Sequence, residues 1–418
     1  MIKKLTFQSK IKFVRFIDDI ITLTQRLRLG NYIYALRIKK ISGSLKTIDG
    51  GKNLVIFIVF EKNKLPHLTL EALKSFKEKG LQLLIVNNGN PKHDKRLLEV
   101  GADCVITRNN TGKDFGGYKD ATLFLKKNAL LDWKKIIYAN DSVIYPKKII
   151  DDLINELINP EYEFIAHSQV KEIHFHFQSF LFSCSESLIN DPIFIKFWES
   201  YLPLDRRRYM IKNGEVGLTK KILKTGCSIN VINTYQDLKK EFTDFACINE
   251  ILSELPDRYR SQKSISETQL KLTETIIASN TAKTFRIGSN ETKDLVMSSA
   301  ITRAQATKAF YQNIAQDLYR EISIGNPSHL GLSYFLRRNQ PFVIKRDLAY
   351  RAGYDYDFLS SLLKKYCPDE YKNILAMIKH PSGNHYKGLK LFMFNQGMIW
   401  WWSSLNGKRR IFPFYKIY

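Results

Sequence analysis

Residues 53–60 read NLVIFIVF, an unbroken apolar run rich in β-branched and aromatic side chains. A strand with one wet face alternates apolar and polar residues. A run with no polar break belongs in a central strand covered on both faces. Covering both faces of a parallel sheet takes helices between the strands, and the next fifty residues supply them. Helical periodicity over 68–79 stops at Gly80, and LQLLIV at 81–86 gives a second strand. A helix near 92–100 leads through Gly101 to a third strand, DCVIT, at 103–107. This alternation predicts parallel pairing with right-handed crossovers. The G-x-G-x-x-G of dinucleotide binders is absent, so the expectation is a doubly wound nucleotide-binding half of another kind.

The carboxyl edge of such a sheet is where ligands bind, which makes Lys134–Tyr145, KKIIYANDSVIY, the passage of interest. Its strand ends abruptly in Asn140-Asp141-Ser142. One reading makes these residues the floor of a ligand site, and the other makes them an Asx turn. Before them, Arg108–Asp120 carries Asn110, Gly112, Lys113, Asp114 and Lys119 at the start of a helix reaching about 128. Glycines there allow close backbone approach, and a helix N-terminus favours an anion. Lys113 and Lys119 are then candidates to neutralise a diphosphate, and Asp114 is a ligand-side acid or a plain N-cap.

After a helix over 147–158 and a strand at 162–166, residues 173–183 alternate as IHFHFQSFLFS. A strand there puts His174, His176 and Gln178 on one face. Two such histidines can ligate a metal, or the face lines a cleft without one. A helix over 191–201 is anchored by Trp198. Asn213–Thr219 runs into a further helix, with Glu215 at the loop-to-helix junction, and SINVI at 228–232 follows. Glu215 there is placed either for general base work or for the helix dipole.

Composition narrows the partners. Lysine and arginine number 65 against 41 acids, a net charge of +24, which attracts polyanions. Nucleic acid is set aside, because the basic residues are spread along the chain and no nucleic-acid module is recognisable. An anionic membrane surface and phosphorylated small molecules remain. The five dispersed cysteines lack zinc spacing and fit a reducing compartment. The basic, then apolar start, MIKKLTFQSKIKFVRFIDDIITL, is interrupted by Arg15, Asp18 and Asp19, against a secretory signal. No uninterrupted apolar run approaches the ~20 residues that span a bilayer. The expected setting is therefore the cytoplasm, with the chain soluble or peripheral on the membrane's inner face.

The domain division expected is an amphipathic helical segment at 1–50, a nucleotide-binding core at 51–249, a helical insert or arm at 250–325, and a C-terminal segment at 326–418. Within the first segment, residues 8–29 have helical periodicity with a basic surround. The last segment ends in a basic, aromatic tail with Trp400-Trp401-Trp402 and Lys408-Arg409-Arg410, a mixture that suits core packing, a membrane interface or glycan stacking.

Several motifs fall in a specific order: Asn110-x-Gly112-x-Asp114-Phe115-Gly116, Ala139-Asn140-Asp141-Ser142-Val143, His176-x-Gln178-Ser179-Phe180, Gly214-Glu215-Val216-Gly217-Leu218, Asn326-Pro327-x-His329 and Pro341-Phe342-x-Ile344-Lys345. In this order they resemble the rhamnan synthesis protein F family of bacterial glycosyltransferases, over roughly 50 to 350. The resemblance implies an α/β, GT-A-like (Rossmann-like) fold: a mostly parallel sheet flanked by helices. It implies a nucleotide-sugar donor, with rhamnose or another deoxyhexose among the candidate sugars, and a glycan or lipid-linked acceptor in a bacterial surface polysaccharide. The donor side would be Asn110, Gly112, Lys113, Asp114, Lys119, Asn140, Asp141 and Ser142, and the acceptor cleft His174, His176, Gln178 and Ser179. Glu215 would be the base of an inverting transfer. The family's acidic motif here holds one carboxylate, a poor cage for Mg²⁺ or Mn²⁺. Asp141 and His176 are the ligand candidates if a divalent metal is used, and Lys113 and Lys119 the substitutes if it is not. The alternative implied is a non-catalytic scaffold or binding subunit of a polysaccharide assembly complex.

Overall fold

In the computed structural model, β2 (Asn53–Val59) lies inside the sheet with every residue from Leu54 to Val59 fully buried. Successive strand side chains point to opposite faces. Accordingly Leu54, Ile56 and Ile58 enter one apolar core, and Val55, Phe57 and Val59 enter another. The description covers residues 37–45, 52–171, 174–234, 326–338, 340–349 and 354–378, with isolated positions at 16, 19, 20, 22–24, 236, 237 and 254. Apart from those positions, the expected helix at 8–29, the arm at 250–325 and the aromatic tail lie outside the described residues.

Around β2 stand β1 (Ile38–Gly43), β3 (Gln82–Asn87), β4 (Cys104–Arg108), β5 (Lys135–Asn140), β7 (Phe164–Val170), β9 (Leu181–Ser185) and β10 (Ile229–Asn233). Among the described residues their order is β1-β4-β3-β2-β5-β9-β7-β10, with β8 (His176–Phe177) paired to β7. Strands β2, β3, β4, β5, β7 and β10 run one way, and β1, β8 and β9 run against them. The expected α/β layout, a mostly parallel sheet flanked by helices, is thus the layout observed. From β2 the chain winds outward through β3 and β4, then returns to the other side of β2 as β5. That reversal is a topological switch point, and it opens a crevice at the carboxyl ends of β2 and β5.

Helices α1 (His67–Glu78), α2 (His93–Glu99) and α4 (Lys147–Leu157) cover the Val55–Phe57–Val59 face. The other face is covered by α3 (Lys113–Lys127), α6 (Pro192–Ser200) and α7 (Val216–Thr225), with the short α5 (Glu186–Asn190) alongside. Trp198 of α6 is fully buried and stacks on Tyr138 of β5, ring centroids 6.0 Å apart. Beyond the short α8 (Pro327–Leu330), a third core joins α1 and α4 to the C-terminal elements α9 (Leu332–Arg338), α10 (Tyr356–Tyr366) and α11 (Tyr371–Met377). That segment also forms a separate two-stranded ladder: β11 (Ile344–Lys345) pairs antiparallel with β6 (Val143–Ile144).

The sequence pattern misleads at 173–183, where strict alternation predicts one strand. From Phe177 to Phe182 the chain takes five steps, while the partner β7 takes three between Gln169 and Ala166. Two extra residues therefore bulge out between β8 and β9, and Ser179 and Phe180 leave the ladder in a turn. His174 stands before β8 and is exposed.

One polar group sits within the layers. Asp120 of α3 has a fully buried carboxylate paired with Arg108 (2.7 Å) and Arg37 (2.6 Å). Charges out of water hold together only as a satisfied set, and removing one partner strands the others. Asp120→Asn should lower the unfolding free energy by about 3–5 kcal/mol, read from urea midpoints. A loss below about 1 kcal/mol would mean the cluster contributes little to the fold.

Candidate functional site

At the switch point Asp141 follows β5 directly and is 6 % exposed. Its carboxylate accepts the backbone N–H of Phe60, the residue after β2, at 2.7 Å. Burial is the main influence on this acid, and the charges of Asp114 and Glu61 add to it. They outweigh the Phe60 hydrogen bond and Arg346, so the carboxyl is pushed up to about 7. Asn140 forms the Asx turn that its sequence allows: its Oδ1 accepts the Ser142 N–H at 3.0 Å and the Ser142 hydroxyl at 2.5 Å. The Asx-turn reading of the passage therefore holds for Asn140 and Ser142. Asn140 and Ser142 build the turn, and the turn delivers Asp141 to the crevice.

The glycine loop is shaped by packing. Gly112 is left-handed (φ +71°), and a Cβ there would lie 2.3 Å from that of Pro203. Its N–H is already donated to Asp205 at 2.7 Å, which withdraws it from anion binding. Gly112, not Asp114, is the N-cap of α3, and Asp114 lies in the first turn. Lys113 is exposed at the loop, and Asn110 turns the chain by accepting the Lys113 N–H through its carbonyl. Lys119 requires correction: its ammonium is buried and donates to the carbonyls of Glu199 (2.9 Å) and Tyr201 (2.6 Å) at the end of α6. Burial first, then Arg37, bring it down to about 8. It ties two helices together and is not available to a diphosphate.

Glu215 also differs from expectation. It does not sit where a loop enters a helix. A helical turn at Arg207–Tyr209 continues through a π turn, Met210–Glu215, into α7, and Glu215 closes the π turn. Such turns are concentrated at functional sites. Gly214 permits the approach, since a Cβ there would meet the Phe115 ring at 3.0 Å. The Glu215 carboxylate accepts from the Ser179 hydroxyl (2.7 Å), and its other oxygen faces His176 Nε2 at 3.4 Å. His176 Nδ1 donates to the carbonyl of His174 (2.7 Å), and Gln178 lies 3.4 Å from Nε2. Burial opposes the charge on Glu215, but His176, Ser179 and Lys345 together outweigh it. The carboxyl is held below its usual range, ionised at neutral pH.

Of the two readings of the His174–His176 face, the geometry does not support paired metal ligands: the His174 side chain is exposed, and only its carbonyl meets His176. Among the described residues no three His, Cys, Asp or Glu side chains gather in a metal-binding cluster. Asp114 lies close enough for its charge to raise Asp141.

Sequence reasoning gave no role to the C-terminal contributors. Arg346 reaches Glu61 (2.5 Å) and the Asp141 carbonyl (3.1 Å). Asn326 caps α8 ahead of Pro327, and His329 from that helix meets Asp347 at 2.9 Å. Buried His167 accepts the Val343 N–H, and burial first, then Lys345, push it down to about 3. The only sign of these residues in the sequence was their polarity inside compact apolar motifs.

The fold and these clusters define an α/β protein with a ligand crevice at the switch point of its sheet. The chain belongs to the rhamnan synthesis protein F family, whose model matches residues 83–310, more than half of it. It is 28% identical over 203 residues to the uncharacterized protein y4gN of Sinorhizobium fredii, covering 47% of this chain and 52% of that one. It is 26% identical over 145 residues to virulence protein VirA of Vibrio anguillarum, covering 34% of this chain and 45% of that one. The chain thus spans about half the length of the curated relatives it matches. Among solved structures, mannosyltransferase PcManGT from Pyrobaculum calidifontis, in complex with GDP-Man and Mn²⁺, aligns with 78% of this chain and 84% of its own. Its identity is 12% and its TM-score 0.24, too loose a superposition to carry an argument.

The Asp141 environment has a testable consequence. A carboxyl raised by folding favours the folded state most below its unfolded pKa, and that benefit is lost as pH rises through the folded value. Asp141→Asn keeps an acceptor for the Phe60 N–H and removes the buried charge. In EDTA, the variant should be more stable than the wild type at pH 8, by about 2–4 kcal/mol, with the difference shrinking towards pH 4. Equal stability at both pH values would contradict this electrostatic account.

Proposed function

We propose that this chain is a glycosyltransferase that moves a sugar from a nucleotide donor to a growing bacterial surface glycan. The observation that carries the reading is the clamped Glu215: an ionised carboxylate, oriented by Ser179 and His176, in an electrostatic neighbourhood that Lys345 and Asp114 extend to Asp141. The family's place in rhamnan synthesis supports a rhamnose or related deoxyhexose donor.

In this reading Glu215 takes the proton of the acceptor hydroxyl as its oxygen attacks the anomeric carbon. The bond to the nucleoside diphosphate breaks on the opposite face, so the configuration inverts. Asp141, with Asp114 beside it, forms the donor side, where a divalent cation would supply charge neutralisation to the diphosphate. Gln178 and His176 border the acceptor side. Among the described residues no helix is long and apolar enough to cross a membrane. The net charge of +24 supports contact with an anionic membrane surface where lipid-linked acceptors lie.

The test is transfer assayed with UDP-, GDP- and dTDP-activated sugars, a rhamnose donor included. Glu215→Gln should cut kcat by about 10²–10⁴-fold with little change in donor KM. Asp141→Asn should act mainly on the donor. Full transfer by both variants would overturn the site assignment. A wild type that binds no sugar nucleotide in calorimetry, with or without Mn²⁺, would favour a scaffold.

A further inference from the structure

Lys345 belongs to a motif that the sequence marked without giving it work, and the structure sets it between the two halves of the site. Its backbone pairs with Val143, two residues beyond Asp141. Its ammonium lies 3.8 Å from the centroid of the Phe180 ring. Phe180 is the bulge residue next to Ser179, which holds Glu215. One side chain therefore starts at the donor floor and ends beside the base.

Four other cations have other duties. Lys119 is bound to the α6 carbonyls, Arg37 and Arg108 to Asp120, and Arg346 to Glu61. Lys345 differs: its described contact is an aromatic face, and Asp347, an acid close enough to act on it, already meets His329. An aromatic face attracts a cation without neutralising it. The residue as a whole is half-buried, and its ammonium is sheltered enough that burial lowers its pKa. Its field is felt by Glu215 and by Asp114, the acid that in turn acts on Asp141.

We propose that Lys345 is the donor-diphosphate ligand of this site, placing a fixed positive charge on the leaving phosphate as the glycosidic oxygen departs. A preorganised cation in a sheltered crevice is worth more to developing charge than one in water. This inference rests on the glycosyltransferase reading and deepens it. It also replaces Lys119, one of the two cations expected from the sequence, with one more than two hundred residues away.

The experiment is calorimetry in Mn²⁺ buffer on the full chain, with UDP, GDP and dTDP and their monophosphates UMP, GMP and dTMP as probes. For the diphosphate that binds the wild type, Lys345→Met should weaken affinity at least tenfold, change monophosphate affinity less than twofold, and be largely restored by Lys345→Arg. Thermal unfolding of Lys345→Met identifies any general loss of fold, and if it is unfolded, Lys345→Gln takes its place. Unchanged diphosphate affinity in a folded variant overturns the proposal. So does a variant that moves only the pH profile of transfer, which would make Lys345 a partner of Glu215 alone. A wild type that binds none of the six nucleotides overturns the underlying donor-site reading instead, and this inference falls with it.

Discussion

The parallel pairing of β2 with β5 is the constraint on which the structure depends. It requires an apolar strand buried on both faces, and Leu54–Val59 meets that requirement completely. It also fixes where the sheet changes winding direction, and thus where backbone polar groups open towards a ligand rather than into a neighbouring strand. The Phe60 N–H has no strand partner left at that point and is taken by the Asp141 carboxylate. The same contact ends the β2–β5 ladder and places the first acid of the site.

The crevice is finished from a distance. The segment at 341–347 is held in place by several interactions, among them the ladder of β11 with β6, the His167–Val343 bond, and the Arg346–Glu61 ion pair. His167 suits this task because burial keeps it neutral, and a neutral ring nitrogen can accept the backbone N–H. In the proposed reading the site has a floor from β5, a clamp from the bulge after β8, a base from the π turn and a cation from the C-terminal segment. Two local departures from regular structure, the bulge and the π turn, aim Ser179 and Glu215 at each other. A regular strand and a regular α-helix would each direct these side chains elsewhere.

Charge is distributed unevenly within the site. Asp141 is raised by burial and neighbouring acids, whereas Glu215 is held ionised by His176, the Ser179 hydroxyl and Lys345. Two carboxyl groups in one crevice are thus driven apart, the pattern by which proteins divide roles between chemically equal groups. In the proposed reading a cation at Asp141 would favour its ionised form, and Glu215, already ionised, takes the acceptor proton.

The sequence by itself determined the layered α/β architecture, because apolar runs and helical periods dictate which faces must be buried. It also exposed the motif order of the family and named Asp141 and Glu215, since acids at strand ends and helix entries stand out against apolar surroundings. Tertiary structure alone decided the division of labour. Lys119 looked like a phosphate ligand until α6 turned its end carbonyls towards it. His174 and His176 looked equivalent until the strand proved to begin at His176. Lys345 had no reading until β11 carried it to β6. Long-range pairing sets these outcomes, and a local pattern contains no information about which distant segment will fill a gap.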